Sequence, residues 1–106
     1  MPQIPNTFTL YGQTWTIRTT DTREMQDNLG LCYADSNEIL LNHNQSEQSL
    51  VHTLMHELLH SIELKQHLEM TERQIDCMAL GLIHLFKSNP NLITLVKEQS
   101  CPHNEE

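Results

Sequence analysis

Residues 46–66, SEQSLVHTLMHELLHSIELKQ, decide the fold. Leu50, Val51, Leu54, Met55, Leu58, Leu59 and Ile62 recur at helical spacing and sweep half the circumference at about 100° per residue, which predicts an amphipathic helix. Inside it, His56-Glu57-Leu58-Leu59-His60 spells HExxH. Residues four apart on a helix lie one above the other, so both imidazoles reach one ion with bonds of about 2.1 Å. The spacing therefore makes His56 and His60 candidate zinc ligands and Glu57 the candidate base on the metal's water. The plainer alternative is a pair of histidines on the solvated side of the helix.

The flanking segments predict the remaining elements. Thr7 to Thr20 alternates around a turn at Gly12, with Phe8, Leu10, Trp15 and Ile17 as the apolar set, and reads as a β-hairpin. A polar stretch, DTREMQDN, has brief helical character, and GLCYA and EILLN flank the turn-forming Asp35, Ser36 and Asn37 as a second hairpin. After the HExxH helix, Thr71 and Gln74 form a capping-box pattern. A second helix then runs to about Lys87 on Ile75, Met78, Ala79, Leu82, Leu85 and Phe86. A short helix follows Pro90 through Leu92, Ile93, Leu95 and Val96. The expectation is a single α+β domain over 1–106, with a small antiparallel sheet packed on the HExxH helix and its successor. Residues 1–6 and 99–106 are expected to be frayed tails.

A zinc enzyme needs a third protein ligand and an open position. His52 lies about 12 Å along the helix axis from His60, and His67 about 10 Å beyond it if the helix continues, so neither shares the ion without a break. A break after Ile62 would bring in His67, as in HExxHxxGxxH, but Glu63 stands at the glycine position and the histidine falls one residue late. Glu72 shares the angular stripe of Ile75 and Ala79 on the second helix and looks toward the first. Its first-turn position suits an anion. Asp76, one turn on, is the fallback ligand or a partner that orients one.

The composition narrows the classes. With 106 residues the chain has room for one core. Six Lys and Arg against 14 Asp and Glu give a formal charge of −8, which repels a nucleic-acid backbone. Cys32, Cys77 and Cys101 are a poor disulfide framework and suit a reducing compartment, the cytoplasm. Neither a signal-like N-terminus nor a span of about 20 apolar residues is evident. The three glycines form no phosphate loop, and no GxSxG elbow is present.

Taken together, HELLH, the strand EILLN before it and TERQIDCMA after it resemble the ImmA/IrrE-like zinc metallopeptidases and their small phage-encoded relatives. The resemblance covers residues 30 to 86. It implies a zincin-like fold with a Glu on the following helix as third zinc ligand, opening an ExxANxFA pattern whose places Glu72, Ile75, Asp76, Met78 and Ala79 occupy. Leu59 stands where the family has Gly, Ile75-Asp76 replaces Ala-Asn, and no LLMP segment follows. The implied activity is peptide-bond hydrolysis in a specific protein, such as a regulator, inside a bacterial or phage-infected cell. It also implies that Glu38 to Asn42 walls the cleft and pairs with an extended substrate.

Other residues carry weaker signals. His43 follows EILLN and could line the cleft or stabilise an oxyanion, against the plainer reading of a solvated loop residue; His84 reads as a partly buried face residue, and Tyr11 and Tyr33 read as core or surface more than as donors to a transition state. Cys101 and His103 have metal-like side chains but lie in the tail. Two other classes stand beside the peptidase: a zinc-binding regulatory or interaction protein without proteolytic activity, and a helical module whose His and Glu are incidental. Zinc content separates the last from the others. The net charge favours basic partners, and narrow specificity predicts little cleavage of unfolded casein.

Overall fold

In the computed structural model, residues 3–99 are described, Thr22 by its backbone alone. Strands β1 (Thr7–Leu10) and β2 (Gln13–Thr20) pair antiparallel, with Leu10 opposite Gln13. Tyr11 and Gly12 between them have φ of 51° and 75°, the left-handed pair that lets a two-residue turn follow the twist of the strands. A short helix α1 (Thr22–Met25) leads to β3 (Gly30–Tyr33) and β4 (Glu38–Asn42), which form the second expected hairpin. Helices α2 (Glu47–Lys65), α3 (Glu72–Ser88) and α4 (Pro90–Lys97) complete the chain.

The sheet corrects one expectation. Its order is β1-β2-β4-β3, and β2 runs parallel to β4, with Thr16 opposite Glu38 and Thr20 opposite Asn42. The fold is α+β with a mixed sheet, where an antiparallel one was expected. The cause lies in β4: Ile39, Leu40 and Leu41 are all buried, so this strand is covered on both faces and does not alternate between core and water. Such a strand belongs inside a sheet and needs a neighbour at each edge. The first hairpin supplies the second neighbour through β2. Glu38–Asn42 is therefore paired on both sides, and β3 and β1 are the edge strands.

Trp15, Ile17, Ile39, Leu41 and Leu50 form the central core, with Phe8, Leu10, Leu54 and Leu58 packed against it. Ile4 joins them, and the Asn6 carbonyl accepts a hydrogen bond from the Ile17 N–H at 2.8 Å. The N-terminal segment is thus tied down from Ile4 onward, where a frayed tail was expected. Cys101 and His103 lie outside the described residues. Among the described residues, no helix is long and apolar enough to cross a membrane.

Helix α2 keeps Leu50, Leu54 and Leu58 of the expected stripe on the core, but its buried side is rotated toward polar residues. Leu50, Thr53, Glu57 and Ser61 are buried, spaced three and four apart, while Val51 and Ile62 of the expected apolar stripe are exposed. On α3, capped as expected by Thr71 and Gln74, only Ile75 and Ala79 are buried. What allows α2 to sit so low is Gly30 on β3. A Cβ there would lie 2.6 Å from Thr53 Cγ2 and 3.0 Å from both Cγ and Oε2 of Glu57.

Gly30→Ala should therefore force β3 and α2 apart. Overpacking of this kind costs about 1–3 kcal/mol, which in a domain of this size lowers Tm by roughly 5–15 °C. Thermal unfolding followed by circular dichroism measures it; an unchanged Tm would mean that the two elements are not in such close contact.

Candidate metal centre

Seating α2 on Glu57 settles where its histidines stand. At about 100° per residue, His56 and His60 point roughly a quarter-turn away from the buried Thr53–Glu57–Ser61 line, toward the side where α3 packs. The capping box starts α3 at Glu72, whose carboxylate meets both rings: Oε1 is 3.6 Å from His56 Nε2, and Oε2 is 2.5 Å from His60 Nε2. The two rings stand edge to face, 4.8 Å apart. His56, His60 and Glu72 form a group that could hold a metal ion, each offering one ligand atom, all within 4.8 Å of one another. Ligands about 2.1 Å from a tetrahedral ion are about 3.4 Å apart, so small side-chain shifts would close the group around one.

The far side of each ring is also occupied by a carboxylate. His56 Nδ1 is 3.3 Å from Asp76 Oδ1, and His60 Nδ1 is 2.9 Å from Glu63 Oε1. A proton on Nδ1 donated to the carboxylate leaves the Nε2 lone pair free for a metal, which is the tautomer a ligand requires. The donor set thus fits a small divalent cation of zinc's kind: two imidazoles held in orientation and one carboxylate. Asp76 stands against the outer ring nitrogen of His56, outside the group of three, and also lies 3.2 Å from His52 Nε2. Glu63 is a contributor that sequence reasoning missed. Its signal was present in the i, i+3 spacing from His60, which puts the two side chains on one face.

The electrostatics follow from burial and neighbours. Glu57 is only 6% exposed, and burial raises its pKa; His56 and His60 pull the other way, and Glu72 adds to the rise. Burial opposes charge on His60, but the hydrogen bond to Glu63 and the charges of Glu72 and Glu57 outweigh it and hold its pKa above the ordinary imidazole value. The Met70 N–H, donating to Glu63 Oε2 at 2.7 Å, draws the Glu63 carboxyl below its usual range, and His60 adds to this against burial. Burial pushes the Cys32 thiol up to about 12, so it stays protonated and is a poor metal ligand.

The remaining sequence candidates do not join the group. His67 takes φ of 58° in the α2–α3 connection, and His43 is exposed after β4. His84 is exposed, where partial burial was expected, and lines a cleft of about 1020 Å³ with His52, Met55, Leu80 and Phe86. That cleft lies between the start of α2 and the end of α3, away from Glu72. Tyr11 and Tyr33 are exposed, and the Tyr11 hydroxyl accepts a hydrogen bond from Gln66 Nε2 at 2.6 Å. Glu72 itself is 76% exposed at its side chain, so the group opens directly to solvent.

No protein-family model, curated protein or solved structure matches this chain.

Ligand and orienting roles separate experimentally. Isothermal titration with zinc should show Glu72→Ala weakening affinity about 100-fold or more, and Asp76→Asn weakening it by a smaller factor of about 10. The reverse order would make Asp76 the ligand and Glu72 the bystander.

Proposed function

We propose that the chain is a zinc-dependent peptidase, with His56, His60 and Glu72 as the metal ligands and Glu57 as the general base. The observation that carries this reading is the convergence of His56 Nε2 and His60 Nε2 on the Glu72 carboxylate, with the glutamate of the same HExxH buried on the adjoining side of α2. The resemblance of HELLH and TERQIDCMA to the ImmA/IrrE-like metallopeptidases, and the zincin-like arrangement it implies, point the same way.

When bound, zinc supplies Lewis acidity, polarising a peptide carbonyl and acidifying water. The chain's own residues do the rest. Glu57 takes a proton from the attacking water and delivers it to the leaving amine. Asp76 and Glu63 keep the two histidines in the ligand tautomer. Glu57 is buried, with its side chain packed close to the backbone of β3 at Gly30.

The substrate strand is assigned differently from the sequence expectation. Since β4 is enclosed by β2 and β3, the backbone available to an extended substrate next to α2 is the free edge of β3, Gly30–Tyr33. A protein segment fits this arrangement better than a small molecule, because the ligand group is an open surface and not a cavity. A charge of −8 steers basic segments toward it.

Glu57→Gln tests the assignment, since it keeps shape and removes the base. Zinc content by elemental analysis should stay at one per chain, while cleavage of host-cell proteins, followed by the appearance of new N-termini, should fall by 10² or more. Equal cleavage by the variant would remove Glu57 from the mechanism. An equal absence of new termini with both proteins would leave a metal-binding protein without peptidase activity.

A further inference from the structure

We infer that Glu63 is a positioning residue that makes metal loading and the α2–α3 connection one cooperative unit, because its buried carboxylate is shared between His60 and the backbone of Met70. The inference rests on the reading of His56, His60 and Glu72 as the ligand set. Glu63 is a charged residue only 7% exposed, and a carboxylate withdrawn from water needs partners for its oxygens. It has one on each: Oε1 meets His60 Nδ1 at 2.9 Å, and Oε2 accepts from the Met70 N–H at 2.7 Å.

These two bonds join parts of the site that are otherwise separate. The first holds the His60 ring with Nε2 turned toward Glu72. The second reaches seven residues forward, across the turn where His67 takes φ of 58° and the chain reverses. The Glu63 carbonyl also accepts from the Leu68 N–H at 3.0 Å, so side chain and main chain of one residue both bond into the connection, beside the bonds from Gln66 to Ile62 and from His67 to Leu64. Met70 immediately precedes Thr71, the N-cap of α3, and Glu72 is the first residue of that helix. The placement of Glu72 is thereby tied to the orientation of His60.

Coupling between two sites is reciprocal. If the Glu63–Met70 bond favours the ligand orientation of His60, an ion on His60 must favour the Glu63–Met70 bond. A carboxylate that merely capped the turn would give no such response.

The test is amide hydrogen exchange of the full chain by NMR, with and without zinc, together with zinc titration of wild type, Glu63→Gln and Glu63→Asp. In wild type, zinc should slow exchange at Met70 by tenfold or more beyond any change at Thr94 and Val96 in α4, which follows the opposite end of α3. Glu63→Gln and Glu63→Asp should bind zinc 10–100-fold more weakly, and the excess protection at Met70 should vanish. Zinc affinity within threefold of wild type in folded Glu63→Gln, or no excess protection of Met70 in wild type, overturns the inference while leaving the ligand set standing. If neither variant folds, the wild-type exchange measurement still decides. A wild-type chain that takes up no zinc overturns the ligand set itself, and this role with it.

Discussion

The contact on which the site depends is the close approach of α2 to β3 at Gly30. Because β3 offers no side chain there, Thr53 and Glu57 descend onto the sheet, and the helix is fixed in rotation about its own axis. Rotation is what a metal site on a helix needs fixed. With Glu57 inward, His56 and His60 must point sideways, and the helix that packs on that side carries the complementary carboxylates at its first and second turns. Burying Glu57, Ser61 and Glu63 on one helix costs solvation. Hydrogen bonds offset this for two of them, through Leu58 for Ser61 and through His60 and Met70 for Glu63.

Much of this was legible in the sequence. Local signals gave the elements: the turn at Gly12, the capping box of Thr71 and Gln74, and the helical spacing around HExxH all correspond to observed structure. The strand order was not legible, since the parallel pairing of β2 with β4 joins segments that are not neighbours in the chain. One clue was available, namely that Ile39, Leu40 and Leu41 form an unbroken apolar run, which marks an interior strand. The buried face of α2 was legible only in part: Leu50, Leu54 and Leu58 pack on the core as apolar counting expects, but packing selected the polar line of Thr53, Glu57 and Ser61 over Val51 and Ile62.

The site shows the same division. His56, His60 and Glu72 could be grouped from spacing and from a resemblance, and the geometry brings them together. Asp76 was weighed from the sequence and the His60–Glu63 pairing has i, i+3 spacing, but the contacts of Asp76 with His52 and His56, and of Glu63 with Met70, depend on the tertiary arrangement. Glu63 drew attention in the sequence only as the residue that broke another metal pattern. What its sequence position does not show is the bond from its carboxylate to the Met70 N–H just before α3, which no single-helix pattern encodes.

The claim that everything else rests on is that one ion sits between α2 and α3. The most direct measurement is the anomalous-difference density of zinc-loaded crystals collected at the zinc absorption edge. The account predicts one strong peak per chain, about 2.0–2.2 Å from His56 Nε2, His60 Nε2 and a Glu72 carboxylate oxygen. A peak elsewhere on the chain, or density showing the three side chains apart with no peak between them, would contradict it.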